Sequence, residues 1–130
     1  MGVGYSNLHI KISSKNDKYN RKYTLNDENY HNEKVYYTFN TKKRSKFNTK
    51  KYFFIKAELF YKDKMLDCFS ISLNNHESYS TVDGNIIYKY ISNNNKGQSK
   101  IIINICKDRI ENVTYQKDDT LQFKIDGIVI

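Results

Sequence analysis

The sequence predicts an all-β, single-domain antiparallel β-sandwich of about eight or nine short strands. Three observations predict it. Apolar residues recur at every second position through most of the chain. Alanine, the best helix former, occurs once, at Ala57, while Ile, Tyr, Phe and Thr abound. Clusters of turn-forming residues interrupt the apolar runs at short, regular intervals. A chain of 130 residues has the length of one domain, 1–130. It can bury a core without disulfides or metals.

Taken in order, Leu8, Ile10 and Ile12 alternate with His9 and Lys11, which is how a half-buried strand reads. Val35, Tyr37 and Phe39 alternate with Tyr36 and Thr38. Phe53, Ile55, Ala57, Leu59 and Tyr61 share one face, with Lys56 and Glu58 on the other. Phe69, Ile71 and Leu73 face one way, and Cys68, Ser70 and Ser72 the other. Ile101, Ile103 and Ile105 alternate with Ile102, Asn104 and Cys106. Leu121, Phe123 and Ile125 repeat the theme, and residues 128–130 close it. Between these runs lie turn-like clusters at 14–18, 26–33, 41–49, 62–64, 74–78, 83–85, 92–99 and 117–119. Asp83-Gly84 is the strongest tight-turn signal. With no proline in the chain, charge is left to protect the sheet edges. The strand count suits C2-like, immunoglobulin-like and jelly-roll sandwiches equally, and no residues single one out.

Charge is placed unevenly. Residues 1–52 carry 12 Lys/Arg against 4 Asp/Glu, whereas residues 53–130 carry 10 of each, so the whole excess of +8 lies in the first segment. Anionic partners are implied, whether nucleic acid, acidic lipid or acidic protein. A base-composition bias works the other way: Lys, Asn, Ile and Tyr make up 62 of 130 residues, all encoded by AT-rich codons, so an AT-rich genome alone would raise the lysine count.

The absences narrow the chemistry. No Gly-rich phosphate loop and no G-x-S-x-G occurs, so neither nucleotide binding nor a serine nucleophile has support. His9, His31 and His76 are scattered, and Cys68 and Cys106 form no C-x-x-C pair, so neither a metal nor any other cofactor is implied. Asp63, Asp67, Asp118 and Asp119 stand near turns as calcium ligands do, but Lys62, Lys64 and Lys117 beside them oppose a cation. No apolar run reaches the ~20 residues of a membrane helix and no leader is visible. The expectation is an intracellular, non-catalytic protein, soluble or peripherally membrane-associated, with reduced thiols.

Two stretches suggest partners. The first six residues fit M-G-x-x-x-[ST], which makes Gly2 a lipidation candidate. The stretch TKKRSKFNTKK at 41–51 holds Lys42, Lys43, Arg44, Lys46, Lys50 and Lys51, six anion-binding candidates. One acyl chain binds a membrane marginally, and a chain plus a polybasic patch binds stably. Phe47, amid these charges, either stacks on a base or lipid interface or anchors the loop to the core. Placed between strands at 34–40 and 52–61, the stretch is expected to be a long hairpin connection.

The leading functional expectation is a protein-interaction or assembly module working through a protein partner or self-assembly, given the abundance of Tyr and Phe, which favour interfaces. The alternatives are a peripheral protein binding anionic lipid through the basic loop, and a nucleic-acid-binding β-barrel using residues 42–51. No small-molecule substrate is indicated.

Overall fold

The structure is a computed structural model that describes residues 7–15, 18–42, 46–47, 53–94 and 97–130. The strands are β1 (Leu8–Ser14), β2 (Asn20–His31), β3 (Lys34–Asn40), β4 (Phe54–Tyr61), β5 (Lys64–Ser72), β6 (Ser78–Val82), β7 (Asn85–Asn93), β8 (Ser99–Cys106) and β9 (Arg109–Asp118), followed by the short β10 (Lys124–Ile125) and β11 (Ile128–Val129). Strands β1–β9 form one antiparallel sheet in the order β5-β4-β1-β2-β3-β9-β8-β7-β6, and β10 pairs with β11.

That sheet curls into a half-barrel. The sequence suggested two sheets packed face to face. Instead the hydrogen-bonded ladder runs unbroken from β5 to β6, and one curled sheet supplies both walls of the core. Register irregularities at Leu25/Asp27, Leu59/Phe60 and Asn104/Ile105 sharpen the bend. The two edge strands end up close together: residues 73–77 alone connect β5 to β6, a reach of at most about 20 Å. Across the gap, the Ser92 hydroxyl of β7 donates to the Ser70 carbonyl of β5 at 2.9 Å.

Tight hairpins set most of the register. Asn32-Glu33, Asp83-Gly84 and Asp126-Gly127 each place two successive residues at positive φ, as a two-residue turn with the twist of its strands requires. The alternation read from sequence then becomes the inner face. Leu8, Ile10, Ile12, Val35, Tyr37, Phe39, Ile55, Ala57, Leu59, Phe69, Ile71, Ile101, Ile103 and Ile105 are all buried. Phe53 departs furthest, at 66% exposed, because β4 begins one residue later and its ring never enters the barrel, and Tyr61, Leu121 and Ile125 are half-buried.

Two sequence expectations change. The turn-like cluster at 26–33 is strand except for Asn32-Glu33, since β2 runs on to His31 against β3. The stretch 41–51 is not a hairpin connection. β3 lies between β2 and β9, and β4 lies between β1 and β5, so the chain must cross past β2 and β1 to join them. One residue ties this crossover down: Phe47 is fully buried, and its N–H donates to the Asp108 carbonyl in the β8–β9 turn. Phe123 fills the opposite end of the barrel, against Tyr37 and Tyr115.

Candidate functional site

The basic crossover is partly placed. Lys42 is exposed and lines a cleft of about 580 Å³ with Thr41, Asn20, Arg21, Lys22 and Thr24. Lys46 is exposed as well. Phe47 meets the Tyr19 ring edge-on, with centroids 4.9 Å apart, so it faces the core and presents no ring face to a base or lipid. Gly2, Lys43, Arg44, Lys50 and Lys51 lie outside the described residues. Other cations join this side of the sheet. Lys11 on β1 stands opposite Lys22 on β2 and opposite Glu58 on β4. Nearby His9 stacks on Phe60, and burial, with Lys22 adding to it, pushes its imidazole below the usual value.

A half-buried polar cluster ties β5 to β8 and β9. One carboxylate oxygen of Asp67 on β5 accepts from the Ser99 hydroxyl of β8 and the Tyr115 hydroxyl of β9, both at 2.9 Å. Asn94 donates to the Ser99 oxygen at 2.6 Å, and the Cys68 N–H caps the other oxygen of Asp67 at 2.9 Å. Burial holds the Tyr115 phenol well above the ordinary tyrosine range. Here the Ser99 hydroxyl donates to the carboxylate, and the three side chains link β5, β8 and β9. The described histidines are engaged elsewhere: His9 with Phe60, His31 with Asn32 and His76 with tyrosines. Among the described residues no group of three or more His, Cys, Asp or Glu is placed to hold a metal ion. No helix among them is long and apolar enough to cross a membrane.

The most open feature is β6. All five of its residues, Ser-Tyr-Ser-Thr-Val, are exposed, and it ends the sheet. It lacks the devices that blunt an edge: it has no charge, no proline and no bulge. The other edge strand, β5, carries Lys64, an inward-pointing Asp67 and a bulge, and lies against β7. With Val82 and Asn85 flanking the two-residue turn as the first hydrogen-bonded pair, Ser80 pairs inward with Ile87. The peptide groups of Tyr79 and Thr81 therefore point outward. Beside them lies an aromatic shelf. His76 packs on Tyr88 at 4.8 Å and on Tyr79 and Tyr90 at 6.2 and 6.4 Å, and Tyr79 is 64% exposed.

Sequence reasoning found the Asp83-Gly84 turn but not the open edge it creates. The available signal was five consecutive uncharged residues beside that turn in a chain rich in lysine. Compared with known proteins, the chain matches no family model, no curated protein and no solved structure.

Proposed function

We propose that this chain is a non-catalytic protein-interaction module that recruits an extended segment of a partner by strand addition to β6. The observation that carries this reading is the exposed, uncharged, unbulged edge of β6 with the outward peptide groups of Tyr79 and Thr81. A docked strand gains main-chain hydrogen bonds there, and the His76–Tyr79–Tyr88 shelf receives its alternate side chains. The half-barrel acts as a rigid support, and we read its facing walls, with Phe69 against Tyr115, as sandwich-like. The test is selection of peptides from a random extended library on the wild type, with counter-selection on Thr81→Pro. That substitution removes an outward donor and spares the β7 ladder. Peptides of alternating pattern that bind only the wild type are expected. A library that yields no peptide sensitive to Thr81→Pro refutes the reading.

A second reading has its own observation. Lys42 shares its cleft with Lys22, so an anionic surface, lipid or nucleic acid, would meet two cations there, while Arg21, the neighbouring residue on β2, projects to the other face. If both contacted duplex phosphates, log K would fall against log salt with a slope of about −1.8. A salt titration of the wild type and a Lys22/Lys42→Ser variant would measure this, using duplex DNA, single-stranded RNA and anionic vesicles. Salt-insensitive binding, or none, removes the reading.

A further inference from the structure

The ends of β6 carry information about what docks on it. Glu77 precedes the strand and Asp83 follows it, both exposed, with five uncharged residues between them. They are six residues apart, roughly 20 Å along an extended chain. The single ion pair found among the described residues joins Lys34 to Asp118, so neither carboxylate has an ion-pair partner there.

A second copy fits this edge poorly. Pairing two β6 strands about a two-fold axis at Ser80 sets Glu77 of each copy against Asp83 of the other. Like charges directly opposite one another destabilise a strand pair. A partner with cations at those two places turns both contacts favourable.

We infer that β6 selects an extended segment with Lys or Arg at its first and seventh positions and an aromatic or large apolar residue at its fifth, a deepening that rests on the strand-addition reading. In antiparallel pairing the first position stands opposite Asp83, the fifth opposite Tyr79 and the seventh opposite Glu77. The first and seventh lie at the two ends of the strand, beside Asp83 in the turn and Glu77 before Ser78. The fifth side chain projects to the side of Tyr79, because strand residues alternate. That side carries the Tyr88 ring, 6.3 Å from Tyr79, and His76, so the fifth residue meets aromatic surface.

The experiment uses the full chain and three labelled peptides with the same core and a fifth-position Tyr. Their first and seventh residues are both Lys, both Ser or both Glu. Fluorescence anisotropy is read at low and high salt, with light scattering on the free protein. The Lys-ended peptide should bind roughly tenfold tighter than the Ser-ended one, and the Glu-ended one weaker still. High salt should compress the series. A Glu77→Gln/Asp83→Asn variant should abolish the ranking, and Asn-Gly keeps the turn. Equal binding of Lys- and Ser-ended peptides, lost in Thr81→Pro, would overturn the charge selection and leave strand addition standing. No binding by any peptide, or binding indifferent to Thr81→Pro, would overturn both. A discrete dimer of the free protein that Thr81→Pro dissociates would replace the basic partner by a second copy.

Discussion

The carboxylate of Asp67 on β5 accepts a hydrogen bond from the hydroxyl of Tyr115 on β9 at 2.9 Å. These strands are far apart in the ladder, with β4, β1, β2 and β3 between them, so the bond spans the core rather than following the sheet. Ser99 on β8 reaches the same oxygen. A curled sheet whose edges do not pair needs something to hold its curvature, and this cluster lies where β5 comes over the opposite wall.

Removing the tie should therefore cost more than one surface hydrogen bond. Asp67→Ala strands two hydroxyls, those of the buried Ser99 and Tyr115, and should destabilise the fold by about 2–4 kcal/mol. Tyr115→Phe leaves Asp67 its Ser99 and Cys68 donors, and should cost about 1–2 kcal/mol. Urea unfolding of both variants and the double mutant measures this. The double mutant should fall short of the sum, because the two residues share one contact. Strict additivity would mean that the bond does not couple the walls.

The phenols make the fold sensitive to alkali. Burial raises the hydroxyls of Tyr19, Tyr23, Tyr90 and Tyr115 above their ordinary value. With the folded value above the unfolded one, each contributes stability that is present below pH about 10 and is lost as pH climbs beyond it. Lys117 runs the other way. Burial lowers its ammonium against the pull of Asp119, Glu28 and Asp118, so its contribution is present above the unfolded lysine value and lost as pH falls. Four phenols outweigh one lysine, so stability should fall above pH about 10. Phenolate absorbance from the buried tyrosines should then appear only together with loss of β structure. A single reversible step for all 12 tyrosines in the intact fold would refute this.

How much was legible in the sequence follows from which face each strand buries. β1, β3 and β8 bury every second residue, and Leu8, Ile10, Ile12 and their counterparts announce them. β2 reads Asn-Arg-Lys-Tyr-Thr-Leu-Asn-Asp-Glu-Asn-Tyr-His, and only Tyr23 in it is buried, so backbone pairing with β3 holds it with almost no apolar pattern to read. Strand propensity depends on context, and there the context is backbone pairing with β1 and β3 on either side. The crossover was illegible for a related reason: a loop's composition does not say which strands it joins. The partners of Asp67 lie on β8 and β9, far along the chain, and no spacing rule connects them.

The two residue types of the basic stretch should behave differently. Phe47 fills the mouth of the barrel against Tyr19, whose hydroxyl lies 2.7 Å from that of Tyr23. Phe47→Ala should cost about 3–5 kcal/mol, the range for emptying a buried aromatic site. Lys42→Ser and Lys46→Ser, at exposed positions, should stay within about 0.5 kcal/mol of the wild type. Urea midpoints of the three variants separate an anchored crossover from a free one. Phe47→Ala with wild-type stability would mean that the ring is not seated in the core in solution.

Amide hydrogen exchange gives a direct reading of the β6 edge before any partner is known. The hairpin register points the N–H groups of Ser80 and Val82 at β7, toward Ile87 and Asn85, and those of Tyr79 and Thr81 at solvent. Exchange should therefore alternate along the strand, with Tyr79 and Thr81 faster by roughly tenfold or more than Ser80 and Val82. Binding of a strand-forming peptide should slow the fast pair and leave the slow pair nearly unchanged, because only the outward donors acquire acceptors. Uniform fast exchange would mean that the β6–β7 hairpin opens as a unit. Uniform protection in the free protein would mean that something already covers the edge. Residue-resolved exchange by NMR, without and with the Lys-ended peptide, distinguishes these outcomes at the level of single amides.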